Sequence, residues 1–294
     1  MIHYLRLIRF PLIFTAIADS WAGYLISLPA PFLDLQLSLL TLLAAVSACL
    51  YAAGMVFNDV ADAGRDARIH PERVIPSGRV KLGRAVLLGL LLSIAALASS
   101  FCISFTTLLI AFAIVLLAFL YNNLLKRYRI AGSFAMGLIR GGNFLLGMSA
   151  FAQFQRMETA LFVFPSILAV YVFMLTMIST LEEGESRREL FMTLTLCLAL
   201  SVVGVNAFLA RAHAALFLSL LTATGLVGEA ILLMKNFSPA SVKEMVRVAI
   251  VAIIPLDAIM VVGQGSPRES LIVFALILPL LIAFGAMRRA PLDA

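Results

Sequence analysis

Acidic and amide side chains recur at helical spacing between positions 58 and 66. Asn58, Asp62 and Asp66 follow one another at intervals of four residues, and Asp59 lies directly after Asn58. At 3.6 residues per turn, this spacing places the first three on one helix face, where like charges repel. Mg²⁺ would remove the conflict, because it prefers hard oxygen ligands and commonly binds through one or two carboxylates and substrate phosphates. A solvated helix end is the alternative, and spacing alone leaves both open.

A short turn with two arginines follows this acidic face. It runs from Arg73 to Arg79 and contains Pro76 and Gly78. Proline fixes its own φ angle and glycine permits positive φ, so the sequence predicts a stiff turn. Arginine binds phosphate oxygens through two parallel hydrogen bonds, and the turn is therefore a second candidate for phosphate chemistry.

A third polar element closes an apolar run further along the chain. Tyr121 is followed, after four intervening residues, by Lys126 and Arg127. These two cations could bind phosphate oxygens. They could equally anchor a helix at the cytoplasmic surface of a membrane, a role that basic residues have in most membrane proteins.

The amino-acid composition indicates which class of protein must position these groups. Of 294 residues, 62% are hydrophobic and 13% are charged, whereas soluble domains are about 45–50% apolar and about 25% charged. This composition excludes a soluble enzyme, a secreted disulfide scaffold, a disordered chain and a nucleic-acid binder. It predicts an all-α integral membrane protein, and the net charge of +6 then reflects loops that face anionic lipid.

Apolar runs of about 20 residues, the length that crosses a bilayer core, divide the chain into spans. We predict a single domain over 1–294, a polytopic transmembrane helical bundle of nine or ten spans with ten favoured, and a long connection over 58–84. The first span is expected to be retained rather than cleaved as a signal peptide, because it exceeds the usual signal core. The ten spans are 11–29, 37–57, 85–103, 105–125, 132–152, 160–181, 190–209, 214–234, 246–263 and 270–287.

The distribution of basic residues predicts the orientation. If the N-terminus is cytoplasmic, all but four of the 22 lysines and arginines fall on the cytoplasmic side, as the positive-inside rule requires. An even number of spans keeps Arg288 and Arg289 on that side. The candidate loops would then also be cytoplasmic, in the inner or plasma membrane if the chain is bacterial.

The three polar elements, in this order, resemble the UbiA superfamily of membrane prenyltransferases. The family motif N-D-x-x-D-x-x-x-D matches Asn58, Asp59, Asp62 and Asp66 without a gap. The family element R-P-I-P-S-G matches the turn that begins at Arg73, with Val74 in place of the first proline. The family element Y-x-x-x-K-R resembles Tyr121 to Arg127 with one extra residue, and the similarity covers essentially the whole chain.

The resemblance implies a helical bundle of about nine spans around a cavity that opens sideways to lipid. It also implies Mg²⁺-dependent transfer of a prenyl group from a polyprenyl diphosphate to an aromatic or other lipophilic acceptor. The partners would be these two substrates and membrane lipid, with no nucleic acid, and protein partners stay open. By this resemblance, the diphosphate and its metal would be held by Arg9, Asn58, Asp59, Asp62, Asp66, Arg73, Tyr121, Lys126, Arg127, Glu182 and Glu183, of which Asn58, Asp62, Asp66 and Glu183 would be the metal ligands.

The second acidic motif departs from the family pattern. The family usually has a D-x-x-x-D cluster after its sixth span, whereas this chain has Thr176 at an expected aspartate and carries Glu182, Glu183 and Glu185 instead. A charged loop is the alternative interpretation of these glutamates, and a second Mg²⁺ site stays open. This variant, together with the run that begins at Arg140, is more similar to the EboC-like branch than to ubiquinone, menaquinone or haem O enzymes.

Polar side chains inside predicted spans are functional candidates by default. Arg140 and Asn143 lie one turn apart in the fifth span, where they could serve the site or pair with another helix. A transporter that uses such groups along a pathway is one rival function. A phosphatidyl-alcohol transferase and a catalytically weakened lipid-binding relative are others, and the one-sided clustering of charge favours the prenyltransferase.

Overall fold

The computed structural model describes residues 1–28, 35–151, 153–182, 187–209 and 213–289, and these ranges are helical without a strand. They contain thirteen α-helices and four short 3-10 helices. The prediction of an all-α fold is confirmed. The α-helices are α1 Ile2–Leu7, α2 Ile13–Ser27, α3 Leu37–Ile69, α4 Leu82–Ile103, α5 Phe105–Asn123, α6 Arg129–Met148, α7 Val163–Ser179, α8 Arg188–Leu209, α9 His213–Met234, α10 Pro239–Val251, α11 Ile253–Gly263, α12 Pro267–Phe274 and α13 Ile277–Arg289.

Eight helical segments in the described ranges are long and apolar enough to cross a membrane. Large apolar side chains cover outward faces, as on α4, where Leu87, Leu90, Leu91 and Ile94 are exposed. Such a continuous apolar exterior is stable in lipid and not in water, so the protein is an integral membrane protein. Helices α6 and α8 are 20 and 22 residues long, and within the described residues each of the ten predicted spans contains helical structure. The count of ten stays a prediction.

Helix α3 is longer than the bilayer requires. Its 33 residues extend over about 50 Å at 1.5 Å per residue, whereas a bilayer core is about 30 Å thick. The first part of the predicted connection, 58–84, is therefore helical up to Ile69, because hydropathy marks where the apolar core ends and not where the helix ends. The acidic face therefore lies on a rigid helical extension.

Prolines break the last two predicted spans. Span 246–263 is divided into α10 and α11 at Ala252, and span 270–287 is divided into α12 and α13 after Phe274. A proline ring clashes with the carbonyl four residues earlier in a helix. For Pro255 that carbonyl belongs to Val251, and for Pro279 it belongs to Ala275. Each helix therefore breaks next to the carbonyl with which the proline ring would clash.

Glycines let α6 approach both of its neighbours closely. A Cβ atom on Gly147 would lie 1.9 Å from the carbonyl oxygen of Ser20 on α2, and one on Gly137 would lie 2.4 Å from the carbonyl oxygen of Ala169 on α7. Small residues at helix contacts are the usual means of close packing in membranes. The contact with α2 brings the polar residues of α6 against those of α2.

Replacement of Gly147 by alanine tests this packing. We expect Gly147→Ala to lower the free energy of unfolding by about 1–3 kcal/mol, because the new methyl group meets backbone that cannot move aside locally. Gly225→Ala on α9 is the control, since a Cβ there meets nothing within 4 Å, and it should match the wild type or exceed it. Unfolding in detergent, followed by circular dichroism, measures both. Equal stability of the two variants would contradict the packing.

The polar ends of several helices meet at one end of the bundle. Leu7 of α1 packs against Val56 of α3, and Ile75 and Val80 of the following turn join the same cluster. Gly78 has a φ of +75°, which confirms the predicted turn chemistry. This small core fixes α1 and the arginine turn against the extension of α3.

Candidate active site

The acidic face of α3 meets the basic end of α5. The Nζ atom of Lys126 lies 2.7 Å from Oδ1 of Asp62 and donates a second hydrogen bond, at 3.3 Å, to Oδ1 of Asn58. The spacing of four residues on α3 aligns the two oxygens, and a 3-10 turn, Leu125–Arg127, places the lysine. Two oxygens of the predicted metal set thus converge on a single cation.

Asp66 has a different partner. Its carboxylate is buried, with 3% of the side chain exposed, and it accepts a hydrogen bond of 2.7 Å from Nη1 of Arg73. Burial lowers the pKa of the Arg73 guanidinium, but the hydrogen bond to Asp66 and the charges of Asp66, Asp59 and Asp62 outweigh it, and the pKa is raised. Arg73 therefore stays charged and holds the arginine turn onto α3.

Removal of the Arg73 guanidinium should loosen this end of the bundle. We expect Arg73→Gln to lower the free energy of unfolding by about 1–2 kcal/mol, because the buried carboxylate of Asp66 loses its charged partner. Arg68→Gln is a matched control, since Arg68 is exposed in the last turn of α3 and should be close to neutral. Limited proteolysis within 70–81 measures the local opening. Equal cleavage rates in the two variants would contradict a stabilising role for this pair.

Arg9 completes the group of ion pairs on α3. Its Nη2 atom lies 3.6 Å from Oδ1 of Asp59. Arg9 is the one residue other than glycine with a positive φ among those the structure describes, at 50°, and this left-handed conformation is costly for a residue with a Cβ atom. Backbone strain of this kind concentrates at functional sites, and here it directs Arg9 toward the acidic face.

Apart from Asp59, these side chains line a polar cavity of about 600 Å³ at the end of the bundle where the helix ends meet. Six cationic and three acidic side chains line it, an excess that suits a polyanion such as a diphosphate. Arg127 and Tyr121 line it as well. Arg65, Arg129, Ser179 and Thr180 are lining residues that the site prediction omitted. The run of basic residues after Tyr121 was the available signal for Arg129. The lining residues are Arg9, Asn58, Asp62, Arg65, Asp66, Arg73, Tyr121, Lys126, Arg127, Arg129, Ser179, Thr180 and Glu182.

The second acidic motif contributes one described residue to this cavity. Glu182 lines it and lies 3.9 Å from the Nζ atom of Lys243. Glu183 and Glu185 lie outside the described residues. Thr176, at the expected aspartate position, donates its hydroxyl to the carbonyl of Val172 in its own helix.

The positions of the side-chain oxygens test whether the predicted ligands could hold a metal ion. In the part of the chain that the structure describes, no group of three or more His, Cys, Asp or Glu side chains forms a metal site by itself. Asn58 and Asp62 nevertheless hold the Lys126 ammonium between them, so their oxygens are arranged to share one cation. Mg²⁺ commonly takes one or two carboxylates and leaves its other positions to water and phosphate. The donor set therefore fits Mg²⁺ bound jointly with a diphosphate.

Arg140 and Asn143 lie apart from the polar cavity. Nη2 of Arg140 is 2.8 Å from Oδ1 of Asp19 on α2, and its guanidinium also donates to the hydroxyl and the carbonyl oxygen of Thr15. Asn143 donates to Asp19 at 3.2 Å and accepts from Ser47 of α3 at 2.9 Å. This network joins α2, α3 and α6 inside the bundle.

A smaller, mostly apolar cavity of about 70 Å³ lies beside the network. It is lined by residues of α2, α3, α5 and α6, among them Arg140, Asn143 and Tyr121. Tyr121 lines the polar cavity too, so the two cavities are neighbours. The molecule thus combines a cationic chamber at one end of the bundle with an apolar chamber inside it.

Fold and site together define a polytopic helical membrane protein with a cationic, aspartate-lined chamber. Residues 13–185 match the model of the UbiA prenyltransferase family, and the chain belongs to this family. The family resemblance stated from the motifs is confirmed, and the protein is a prenyltransferase by family.

The similar curated proteins are archaeal enzymes. A digeranylgeranylglyceryl phosphate synthase of Methanocaldococcus jannaschii is 36% identical over 144 residues, which are 49% of this chain and 50% of that protein. A synthase of the same name from Methanosarcina mazei is 36% identical over 121 residues, 41% of this chain and 40% of the relative. The matched region thus spans about half the length of these relatives or less.

Solved structures share the fold over nearly the whole chain. A UbiA homolog from Aeropyrum pernix K1 in its apo form has a TM-score of 0.65 at 17% identity and covers 85% of this chain and 97% of that one. A UbiA homolog from Archaeoglobus fulgidus, bound to DMAPP and Mg²⁺, has a TM-score of 0.63 at 15% identity, with 92% and 99% covered.

Proposed function

We propose that this protein transfers a prenyl group from a polyprenyl diphosphate to a lipophilic acceptor and requires Mg²⁺. The observation that carries the proposal is the convergence of Asn58, Asp62 and Lys126 in a cationic chamber. The name of the archaeal relatives, digeranylgeranylglyceryl phosphate synthase, and the DMAPP and Mg²⁺ bound to the Archaeoglobus homolog support it. We place the chamber on the cytoplasmic side, following the distribution of basic residues.

The donor is an amphiphile whose charged head and apolar tail need different surroundings. The diphosphate would enter the polar cavity, where Lys126, Arg127 and Arg73 contact its oxygens. Asn58 and Asp62 would hold Mg²⁺, which when bound neutralises charge on the diphosphate. In this complex Lys126 exchanges its contact with Asp62 for one with a phosphate oxygen. Asp66 and Glu182 are further candidates for the metal shell, and Glu183 belongs to the same set by motif.

Transfer replaces one bond of the allylic carbon by another. The bond between C1 and the bridging oxygen breaks, and its electron pair leaves with the diphosphate. The acceptor nucleophile then bonds to C1 and gives up one proton. Lys126 and Arg127 stabilise the charge that develops on the leaving group. Apolar walls beyond Tyr121 exclude water, which would otherwise capture the allylic cation.

The test is Mg²⁺-dependent release of pyrophosphate by the purified protein. The protein in nanodiscs receives labelled geranyl, farnesyl or geranylgeranyl diphosphate, together with a lipid extract as acceptor. We expect label in a lipid product that no longer carries the diphosphate of the donor, together with release of pyrophosphate, both abolished by EDTA and restored by Mg²⁺. The same protein is also reconstituted into sealed vesicles, where intact donor on the far side of the membrane would favour the transporter instead. No release with any donor would favour the weakened lipid-binding relative.

A further inference from the structure

Asp257 lies in α11 with both oxygens of its side chain unpartnered. The residue is 0% exposed, and neither Oδ1 nor Oδ2 makes a hydrogen bond with the described part of the molecule. Both atoms are closed to solvent, so there is no room beside them for a water molecule or a metal ion. Buried polar groups in native proteins are normally satisfied, and a buried carboxylate without a partner is costly. Asp257 must therefore be satisfied by something that needs no space of its own.

The neighbour of Asp257 across the helix contact is a second carboxyl group. Helix α11 packs against α2, and the side chain of Asp257 lies within hydrogen-bonding reach of Asp19 on α2. Asp19 is 0% exposed as well. An ionised carboxylate only accepts hydrogen bonds, so two carboxylates in contact have no donor between them. One proton on the pair would supply that donor.

A single positive charge serves the two carboxyl groups. Nη2 of Arg140 on α6 lies 2.8 Å from Oδ1 of Asp19. Helices α8, α9, α10 and α12 also pack against α11, but their described residues bring no charged group to Asp257. If both aspartates were ionised, one negative charge would remain uncompensated inside the bundle, which is strongly destabilising. A proton on one aspartate removes that charge.

The remaining polar neighbours indicate which aspartate carries the proton. Asn143 of α6 donates to Oδ2 of Asp19 at 3.2 Å, so both oxygens of Asp19 accept from donors and its negative charge is stabilised. Tyr171 of α7 also lies near Asp257, but it donates its hydroxyl to a backbone carbonyl of α10 at 2.8 Å and has no proton left to give. Asp257 is therefore the aspartate that must hold its own proton.

We propose that Asp257 is a neutral carboxylic acid that donates a hydrogen bond to the Asp19 carboxylate, and that this bond holds α11 against α2 and α6. The family match covers residues 13–185, and α11 lies beyond it, so the bond joins the C-terminal helices to the part of the chain that carries the chamber. Loss of the proton at high pH would replace the hydrogen bond by repulsion between two carboxylates. The proposal concerns the bundle itself and is independent of the substrate.

Infrared spectroscopy tests the protonation state directly, because the carbonyl stretch of a carboxylic acid is separate from the bands of a carboxylate. The protein is measured in dodecyl maltoside, a detergent without ester or acid groups. Asp257→Asn is the test variant, and Glu72→Gln is the matched control, since the Glu72 side chain is 70% exposed. At pH 7 we expect a carboxylic acid band in the wild type and in the control that is missing from Asp257→Asn. The band should disappear as the pH is raised. A spectrum that Asp257→Asn leaves unchanged in this region would overturn the proposal.

Equilibrium unfolding at pH 7 tests whether the bond holds the helices together. Asparagine replaces the acid proton by an amide N–H, whereas leucine has a similar size and no donor. We expect Asp257→Asn to keep the folding equilibrium constant within about threefold of the wild type, and Asp257→Leu to lower it by roughly tenfold to a hundredfold, the loss of a hydrogen bond to a charged group. Equal stability of the two variants, or an Asp257→Asn variant far more stable than the wild type, would refute the bond. If Asp257→Leu does not fold, the infrared comparison still decides.

Discussion

Asp62→Asn should reduce kcat/KM for prenyl transfer by roughly 10²–10³-fold, which is the effect of removing one charged group that stabilises a transition state. The substitution keeps the size of the side chain and the helix that carries it. It removes the negative charge that lies 2.7 Å from Lys126, and with it the anionic ligand for Mg²⁺. Steady-state assays with labelled donor, over a range of Mg²⁺ concentrations, measure the loss.

The control for this prediction is an acidic residue that lies close by in the chain. The side chain of Glu72 is 70% exposed and lies 3.4 Å from His70. Glu72→Gln changes the net charge by the same amount without touching the chamber, and it should retain wild-type rates. If Asp62→Asn kept activity within tenfold of the wild type, or if Glu72→Gln lost as much, the role of Asp62 in catalysis would be refuted.

Arg140→Met should produce the largest loss of stability, about 3–5 kcal/mol in the free energy of unfolding. The substitution leaves the carboxylate of Asp19, which is 0% exposed, without its cation inside the bundle, and an uncompensated buried charge is strongly destabilising. Unfolding in mixed micelles, followed by circular dichroism, measures the change.

A double variant distinguishes the loss of the ion pair from the loss of side-chain packing as the cause of this destabilisation. A buried ion pair that is replaced on both sides by apolar residues is often neutral or even stabilising. We therefore expect Asp19→Leu combined with Arg140→Met to recover most of the stability that Arg140→Met loses. If the double variant were no more stable than the single one, the loss would come from packing around the guanidinium and not from the unpaired carboxylate.

The part of the site that repeats at helical spacing could be predicted from the sequence. Asn58 and Asp62 lie on one face because an interval of four residues is nearly one helical turn, and this relation is local. The predicted span ends at 57, whereas the helix that contains it, α3, continues to Ile69. Hydropathy detects only the apolar part of a helix that lies in the membrane. Where the helix continues into the aqueous phase its residues are polar, and hydropathy no longer detects it.

Contacts between distant parts of the chain could not be predicted in the same way. Arg140 and Asp19 are 121 positions apart, and Arg140 was noticed only as a polar residue within a span. Their pairing depends on the close approach of α2 and α6, which the contact at Gly147 permits. Without that approach, interhelical pairing and a site role for Arg140 were equally compatible with the sequence.

Asn122, which is buried and lines the apolar cavity, was not among the predicted residues, although the sequence contained a signal for it. Thr107, Ala111, Ile114 and Asn122 are the buried residues of α5, and their spacing is helical. A polar residue on the inward face of a membrane helix is a stronger candidate than its exposed neighbour Asn123. The basic residues that follow it, Lys126 and Arg127, favoured a site at the membrane surface instead. Helix faces, rather than charged clusters alone, would have identified it.

The most direct test of a diphosphate chamber is equilibrium binding of the donor with its headgroup varied. Geranylgeranyl diphosphate, the monophosphate and the free alcohol are titrated against the protein in nanodiscs, with and without Mg²⁺, for the wild type and for Lys126→Met. The account predicts that the diphosphate binds tightly only with Mg²⁺, that the alcohol binds far more weakly, and that Lys126→Met weakens the diphosphate by about tenfold or more. Equal affinity for diphosphate and alcohol, unchanged by Mg²⁺ or by Lys126→Met, would contradict it.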